Sequence, residues 1–201
     1  MGTVVIDLTV SLDGFIAGPD DGPEQPLGRG GEALFTWMNA GPESNRFDRW
    51  LTPPDASVPI VREWMTQAGA GISGRRTFDI ANGWKDGHPI DAPIFVVTHE
   101  APTHGEWSPL VRFVTEGVDR ALELAQAAAG DKLVSVAGSS VAQQLLRAGK
   151  VDEIQVSVVP LLLGGGVRLF DHIGTDAIQL EQTRVVPSDG VTHLRYRVMR
   201  R

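Results

Sequence analysis

The sequence contains no cysteine. That absence excludes a disulfide scaffold, a thiolate zinc site, an iron–sulfur cluster and a cysteine nucleophile. Long apolar runs are missing too. No stretch approaches the roughly 18 consecutive apolar residues that a membrane-spanning helix needs, so no membrane partner is expected. Basic residues are in deficit: 18 Lys and Arg face 25 Asp and Glu, a formal net charge of −7. A general nucleic-acid binder carries a basic footprint, so that partner class is not expected either. Met1 to Val10 lacks the basic stretch that opens a secretory signal. With no cysteine and no such signal, a cytoplasmic location is the expectation. Repeats, low-complexity tracts and a dividing linker are also lacking. The 201 residues therefore read as one domain spanning 1–201.

Several catalytic signatures are absent. There is no G-x-x-x-x-G-K-[ST], which excludes a P-loop, and no G-x-S-x-G elbow to support an α/β-hydrolase. Among His88, His99, His104, His172 and His193, none pairs with another residue as H-x-x-x-H or H-E-x-x-H. No metal site is therefore expected. Gly69-Ala70-Gly71-Ile72-Ser73-Gly74 matches G-x-G-x-x-G literally. It stands in the wrong order, because the dinucleotide fingerprint follows a strand and opens a helix. Here a helical pattern precedes the glycines and they run into a strand.

What is present alternates strand with helix. Val4, Ile6, Leu8 and Val10 alternate with Val5, Asp7 and Thr9, the period of a strand with one more apolar face. A Gly- and Pro-dense loop then runs to Gly31, a length that points to function or disorder. Glu32 to Asn39 reads as a short helix with Leu34, Trp37 and Met38 on one side. Pro59 suits a helix start, and Val61, Trp64, Met65 and Ala68 follow at helical spacing. Further strands are predicted at Ala70–Ser73, Ile94–Thr98, Val111–Thr115, Lys132–Ala137 and Val151–Val159. Helices are predicted at Arg75–Phe78, Val118–Ala129 (with Ala121, Leu122, Ala125 and Ala128 sharing a face) and Ser139–Ala148. Ile178–Pro187 and Val191–Met199 flank Ser188-Asp189-Gly190, a hairpin signal. The fold class is therefore α/β, a mainly parallel central sheet with an antiparallel C-terminal hairpin.

Two turns carry candidate chemistry. Gly74-Arg75-Arg76-Thr77 stands where a strand hands over to a helix. Helix-start amides, two forked guanidinium groups and a hydroxyl would suit a phosphate, and a solvated surface pair is the plain alternative. Val136-Ala137-Gly138-Ser139-Ser140-Val141 is a second strand–glycine–helix turn. Gly138 would allow close backbone approach, and Ser139 or Ser140 could cap the helix or meet a phosphate. Two such turns on one sheet suggest a dinucleotide crevice. Asp13-Gly14 reads as a turn or as a general acid. Of Trp37, Trp50, Trp64, Trp84 and Trp107, most are expected in packing and one or two in the wall of a pocket for a planar ring.

Five runs in order carry a resemblance. They are Val10-Ser11-Leu12-Asp13-Gly14-Phe15-Ile16-Ala17-Gly18, Ile72-Ser73-Gly74-Arg75-Arg76-Thr77-Phe78, Pro93-Ile94-Phe95-Val96-Val97-Thr98, Val136–Leu146, and Asp152–Pro160 leading to Leu163-Gly164-Gly165-Gly166. On these the chain resembles the dihydrofolate reductase superfamily. Within it, the chain is similar to stand-alone members of the RibD C-terminal domain family, the reductase domain of bifunctional riboflavin-biosynthesis proteins. The resemblance implies a dihydrofolate-reductase-like three-layer fold and an NADPH-dependent oxidoreductase that passes a hydride to a small planar heterocycle or carbonyl. It implies nicotinamide contacts from Ile16 and Ala17. It implies phosphate contacts from Gly74, Arg75, Arg76 and Thr77, and a place for Thr98 near the adenosine ribose phosphate. Gly138, Ser139 and Ser140 would approach the diphosphate, and Ser157 would face the substrate. Asp13 or a bound water is the candidate proton donor, and a homodimer is implied.

Departures from the family pattern shape the alternatives. Phe15 stands where riboflavin-pathway enzymes usually carry lysine, and Ala137-Gly138 replaces the usual Gly-Gly. Glu32 is the one acidic residue in the helix where a dihydrofolate reductase places its pterin carboxylate. The alternatives are a 5-amino-6-(5-phosphoribosylamino)uracil reductase-type activity, a non-catalytic nucleotide-binding module, and a flavin or deazaflavin in the same crevice.

Overall fold

The computed structural model describes residues 2–47 and 51–199. Its strands are β1 Val4–Ser11, β2 Phe15–Ala17, β3 Ala68–Gly74, β4 Ile94–Val97, β5 Val111–Val114, β6 Leu133–Ala137, β7 Glu153–Val159, β8 Val167–Arg168, β9 Leu180–Ser188 and β10 Val191–Val198. Its α-helices are α1 Val58–Gln67, α2 Arg75–Ile80, α3 Val118–Ala129 and α4 Ser139–Arg147. Eight strands form one sheet in the order β5-β4-β3-β6-β1-β7-β10-β9. From β5 to β7 every pairing is parallel, and β10 and β9 close that edge as an antiparallel hairpin. The parallel part is covered on both faces, and most of its strands are accordingly rich in valine and isoleucine, whereas β3 is mostly alanine and glycine.

One face carries α3 and α4. There Val4, Ile6, Ile72, Val134, Val136, Ile154 and Val156 pack with Ala125, Leu145 and Leu146 in the main core. Along α3 the buried stripe is Ala121, Leu122, Ala125 and Ala129, while Ala128 is exposed. The expected Ala128 is thus corrected to Ala129, because a spacing of four residues returns to the same helix face. The opposite face carries α1, α2 and a 3₁₀ helix over Gly31–Asn39. That last segment was expected as an ordinary short helix. Its buried Leu34 and Trp37 stand three apart, the repeat of a 3₁₀ helix, and Glu32 is exposed.

The literal G-x-G-x-x-G run lies within β3 and acts by packing. A Cβ at Gly69 would sit 2.9 Å from Ala129 Cα, whereas at Gly71 it would meet nothing nearer than 3.6 Å. Gly69→Ala is therefore expected to cost about 1–3 kcal/mol of stability and Gly71→Ala under about 1 kcal/mol. Urea unfolding of both variants checks this ranking; equal losses would contradict it.

The long loop before the 3₁₀ helix is folded. Gly18 N–H donates to the Leu27 carbonyl, and Arg29 N–H donates to Pro19. Gly28 packs so closely that a Cβ there would lie 2.2 Å from the Gly18 oxygen. Among the described residues no helix is long and apolar enough to cross a membrane.

Candidate functional site

All six parallel strands end on the same side, so the segments that follow them gather along one edge. In such sheets ligands bind outside the carboxyl ends of the strands. The chain continues there from β3 into α2, from β4 into Thr98, from β6 into α4, and from β1 into the Asp13 turn.

The β3 and β6 exits meet directly. Gly138 has φ +93°, and a Cβ on it would lie 2.7 Å from Thr77 Oγ1. A Cβ on Gly74 would lie 3.5 Å from Ser140 Oγ. Four expected residues, Gly74, Thr77, Gly138 and Ser140, are thus neighbours. Gly138 itself is the N-cap of α4 and makes no side-chain cap bond. The expected capping by Ser139 or Ser140 does not occur, because both already lie inside the helix. The first amides of α4 consequently lack a side-chain cap at the mouth of a glycine cradle, an arrangement that fits a phosphate group.

The two arginines diverge. Arg75 Nε donates to Asp79 Oδ1 at 2.8 Å, and its Nη1 donates to the Glu100 carbonyl at 3.1 Å. Thr98 Oγ1 donates to the same carbonyl at 2.8 Å, so Arg75 and Thr98 share one anchor. Arg76 swings to the long loop. Its Nε donates to Asp21 Oδ2 at 2.7 Å, and a second contact joins Nη2 to Oδ1. This carboxylate holds the Arg76 guanidinium above its usual value.

Asp13 holds the other end of the edge. Ser11 Oγ donates to its Oδ1 at 2.6 Å, Leu163 N–H to Oδ1 at 3.1 Å and Gly164 N–H to Oδ2 at 2.7 Å. The Ser11 hydroxyl, with these two amides, pulls its carboxyl down to about 2. Ile16 and Ala17 lie in β2, which pairs with β8. Gln143 of α4 donates to the carbonyls of Arg168 and Leu169, at 3.2 and 3.0 Å, so the α4 turn also fixes β8 and through it β2.

Beneath this edge, on the face covered by α1, lies a cavity of about 170 Å³. Trp37, Trp64, Phe35, Leu51 and Val61 form much of its wall. Its floor is the polar side of the sheet, where Asp7 pairs in register with Gln155 and Thr9 with Ser157. Ala137, next to Gly138, also lines it, so the cavity adjoins the phosphate-type turn. Ser157 Oγ lies 2.8 Å from His193 Nδ1, and Ser57 Oγ lies 2.8 Å from His193 Nε2. Burial holds His193 down to about 4, with the Arg184 charge adding to the effect. Burial pushes Asp7 up to about 7, against a hydrogen bond from Gln155 that favours the charged form.

Asp7, Gln155 and His193 were not among the expected site residues. The signal was a run of polar residues at alternate positions: Asp7 and Thr9, then Gln155 and Ser157, then His193 and Arg195. Each pair faces one way on a strand otherwise rich in apolar residues. Of the tryptophans, Trp37 and Trp64 wall the cavity, and Trp84 and Trp107 pack edge-on against Phe78. Trp50 lies outside the described residues.

The family model described as the RibD C-terminal domain matches residues 2–194. No curated protein matches the chain. Among solved structures, a candidate riboflavin biosynthesis protein from Shewanella sp. PV-4 is similar with a TM-score of 0.69 and 23% identity, with 100% of both chains covered. A diaminohydroxyphosphoribosylaminopyrimidine deaminase/5-amino-6-(5-phosphoribosylamino)uracil reductase from Thermotoga maritima is similar at TM-score 0.63 and 16% identity. The similarity covers 98% of this chain and 57% of that one, so this chain spans little more than half of the bifunctional protein. Dihydrofolate reductase from Enterococcus faecalis, complexed with NADP(H), is similar at TM-score 0.57 and 15% identity, covering 98% of this chain and 96% of that one. The fold is dihydrofolate-reductase-like.

Proposed function

Because the chain belongs to the RibD C-terminal domain family, we propose that it is an NADPH-dependent reductase acting on a small, uncharged, planar heterocycle or carbonyl compound. The observation that carries this reading is the Gly138 cradle. Its left-handed glycine faces Thr77, and the uncapped start of α4 lies beside a cavity walled by tryptophan.

In this reading the amides of Ser139 and Ser140, with Gly74 and Thr77, hold the cofactor pyrophosphate. Arg75 and Arg76 hold the adenosine 2′-phosphate, with Thr98 beside the ribose. Ile16 and Ala17, fixed by β8, bracket the nicotinamide. The bound cofactor supplies the hydride; the protein supplies position and a proton. Asp13, ionised at neutral pH, orients the Leu163-Gly164 turn and has no proton to give. Ser157, held by His193, faces the substrate.

The phosphoribosyl-pyrimidine alternative would need a cation for the substrate phosphate. Among the described residues, none of the side chains that line the cavity is lysine or arginine. An uncharged substrate is therefore favoured for this cavity.

NADPH titration followed by thermal unfolding tests the reading. Saturating NADPH is expected to raise the unfolding temperature, since a ligand at 100 times its Kd adds about 2.7 kcal/mol. No protection at millimolar NADPH would sink the proposal. NADPH is also expected to bind more tightly than NADH. Arg75→Ala combined with Arg76→Ala should erase most of that preference, about tenfold or more, by removing the charge-assisted bonds to the 2′-phosphate. Equal dissociation constants for both cofactors in the unmodified protein would refute this part.

A further inference from the structure

A run of hydrogen bonds with fixed polarity crosses the floor of the cavity. Arg184 of β9 donates through Nη2 to Gln155 Oε1 at 2.7 Å. A guanidinium can only donate, so the Gln155 amide is fixed with its oxygen toward Arg184 and its NH₂ toward β1. That NH₂ donates to Asp7 Oδ2 at 2.8 Å. Oδ2 is therefore an acceptor, and when Asp7 is protonated the proton must sit on Oδ1. Among the described residues Oδ1 has no hydrogen-bond partner, while Asp7 itself lines the cavity. The protein thus directs an O–H group at whatever occupies the space between Trp37 and Trp64.

We infer that Asp7 is the proton donor to the substrate, presenting Oδ1–H to a ring nitrogen or carbonyl oxygen of an uncharged planar compound held in the sheet-floor cavity. The turnover part of this assignment rests on the reductase reading; the binding part does not. In the reduction, the acceptor carbon of a C=N or C=O bond takes a hydride pair from a dihydronicotinamide. The adjacent nitrogen or oxygen takes the Asp7 proton. The double bond becomes CH–NH or CH–OH, the dihydronicotinamide is oxidised, and the Asp7 carboxylate regains a proton from water.

The acidic groups that face Asp7 are paired to arginines. From α1, Glu63 faces it, paired to Arg184 at 2.6 Å and to Arg195. From β7, Glu153 accepts from Arg195 Nε at 2.7 Å. Against the partial burial that would raise it, hydrogen bonds from Arg184 and Arg195 hold Glu63 below its usual value. His193 of β10 stays neutral down to about 4. The cavity-lining residues of the 3₁₀ helix, Phe35, Trp37 and Met38, carry no titratable group. Burial keeps Asp7 protonated to about pH 7, matched to proton donation in that range.

Quinazoline is a suitable probe: a neutral fused ring with acceptor nitrogens, too weak a base to protonate near neutrality. Its binding is read by quenching of tryptophan fluorescence, without NADPH. The unmodified protein should bind it about tenfold more weakly at pH 8 than at pH 6, following the protonated fraction of Asp7. Asp7→Asn keeps an N–H donor at this position and cannot ionise, so its affinity should be the same at both pH values. Asp7→Leu removes the donor and should bind at least about tenfold more weakly than the unmodified protein at pH 6. Should Asp7→Leu fail to fold, the Asp7→Asn comparison decides alone. Infrared spectra should show the carbonyl stretch of a protonated carboxyl that disappears around pH 7 and is missing in Asp7→Asn. Flat binding in the unmodified protein, or the same pH-dependent fall in Asp7→Asn, would overturn the assignment. NADPH protection is a separate measurement. Its failure removes the reductase reading and leaves the probe result standing, and the reverse also holds.

Discussion

Gly138→Ala is expected to weaken NADPH binding by about 100-fold, the largest effect of any single methyl group in this account. The estimate is that of losing one to two charge-assisted backbone hydrogen bonds to phosphate, at about 1.5–3 kcal/mol each and 1.4 kcal/mol per tenfold. The physical cause is twofold. Gly138 has φ +93°, where side chains are strained, and the new Cβ would be placed 2.7 Å from Thr77 Oγ1. The turn must move away from α2, carrying the first amides of α4 with it. Strain also lowers stability, by about 1–3 kcal/mol. Gly130→Ala supplies the control. Gly130 has φ +61° and open space around its Cβ position, at the far end of α3. It should lose stability through strain and keep NADPH affinity. Calorimetric titration of both variants separates a damaged cradle from a generally weakened fold. Equal NADPH affinity in Gly138→Ala and the unmodified protein would contradict the placement of the pyrophosphate.

Asp7→Asn is expected to stabilise the protein at pH 8 and leave it nearly unchanged at pH 4. Burial lifts the Asp7 carboxyl from its ordinary 3.8 to about 7. A group raised in the folded state favours folding fully below its unfolded value and loses that contribution as the pH rises through its folded value. Ionising Asp7 in place therefore costs at most on the order of 4 kcal/mol, at about 1.4 kcal/mol per tenfold. Asparagine preserves the Gln155 bond and carries no charge. A gain of about 2–4 kcal/mol at pH 8 follows, or roughly 5–15 °C in Tm for a chain of this length. His88 and His193 act in the opposite direction. Burial holds both at about 4 against an ordinary 6.5, so stability present above 6.5 is lost as the pH falls toward 4. The histidines are common to both proteins, so the difference between the two stability curves isolates Asp7. Melting curves at pH 4, 6 and 8 check it. A Tm difference that does not grow with pH would show that Asp7 is not raised by burial.

Much of the fold was legible because its signals are local. The alternation at Val4–Val10 became β1, the helical stripe at Val118–Ala129 became α3 with the same ends, and Ser188-Asp189-Gly190 joined the β9–β10 hairpin. The order of the strands in space is not a local property, and β2 and β8 were missed because a pair of two and three residues has too short a period to read. The candidate cofactor edge was legible for a related reason. Each of its turns is a contiguous run, such as Gly74–Thr77 or Gly138–Ser140, and geometry then juxtaposed them. The cavity floor was harder. Asp7, Gln155 and His193 lie on three strands far apart in sequence, and one charge in an apolar run gives no hint of its neighbours until the register is known. Arg76 shows a related limit. Its guanidinium suits a phosphate by type, and only the folded chain shows that it is joined to Asp21 of the long loop, a partner 55 residues away that a bound phosphate would have to share or displace.

The central claim is that the carboxyl edge of β3 and β6 binds the dinucleotide. A crystal structure of the protein soaked with NADPH tests it most directly. The account predicts the pyrophosphate within hydrogen-bond reach of the Ser139 and Ser140 amides, with the nicotinamide turned toward Asp7 and the two cavity tryptophans. Cofactor bound elsewhere on the chain, or none at saturating NADPH, would contradict it.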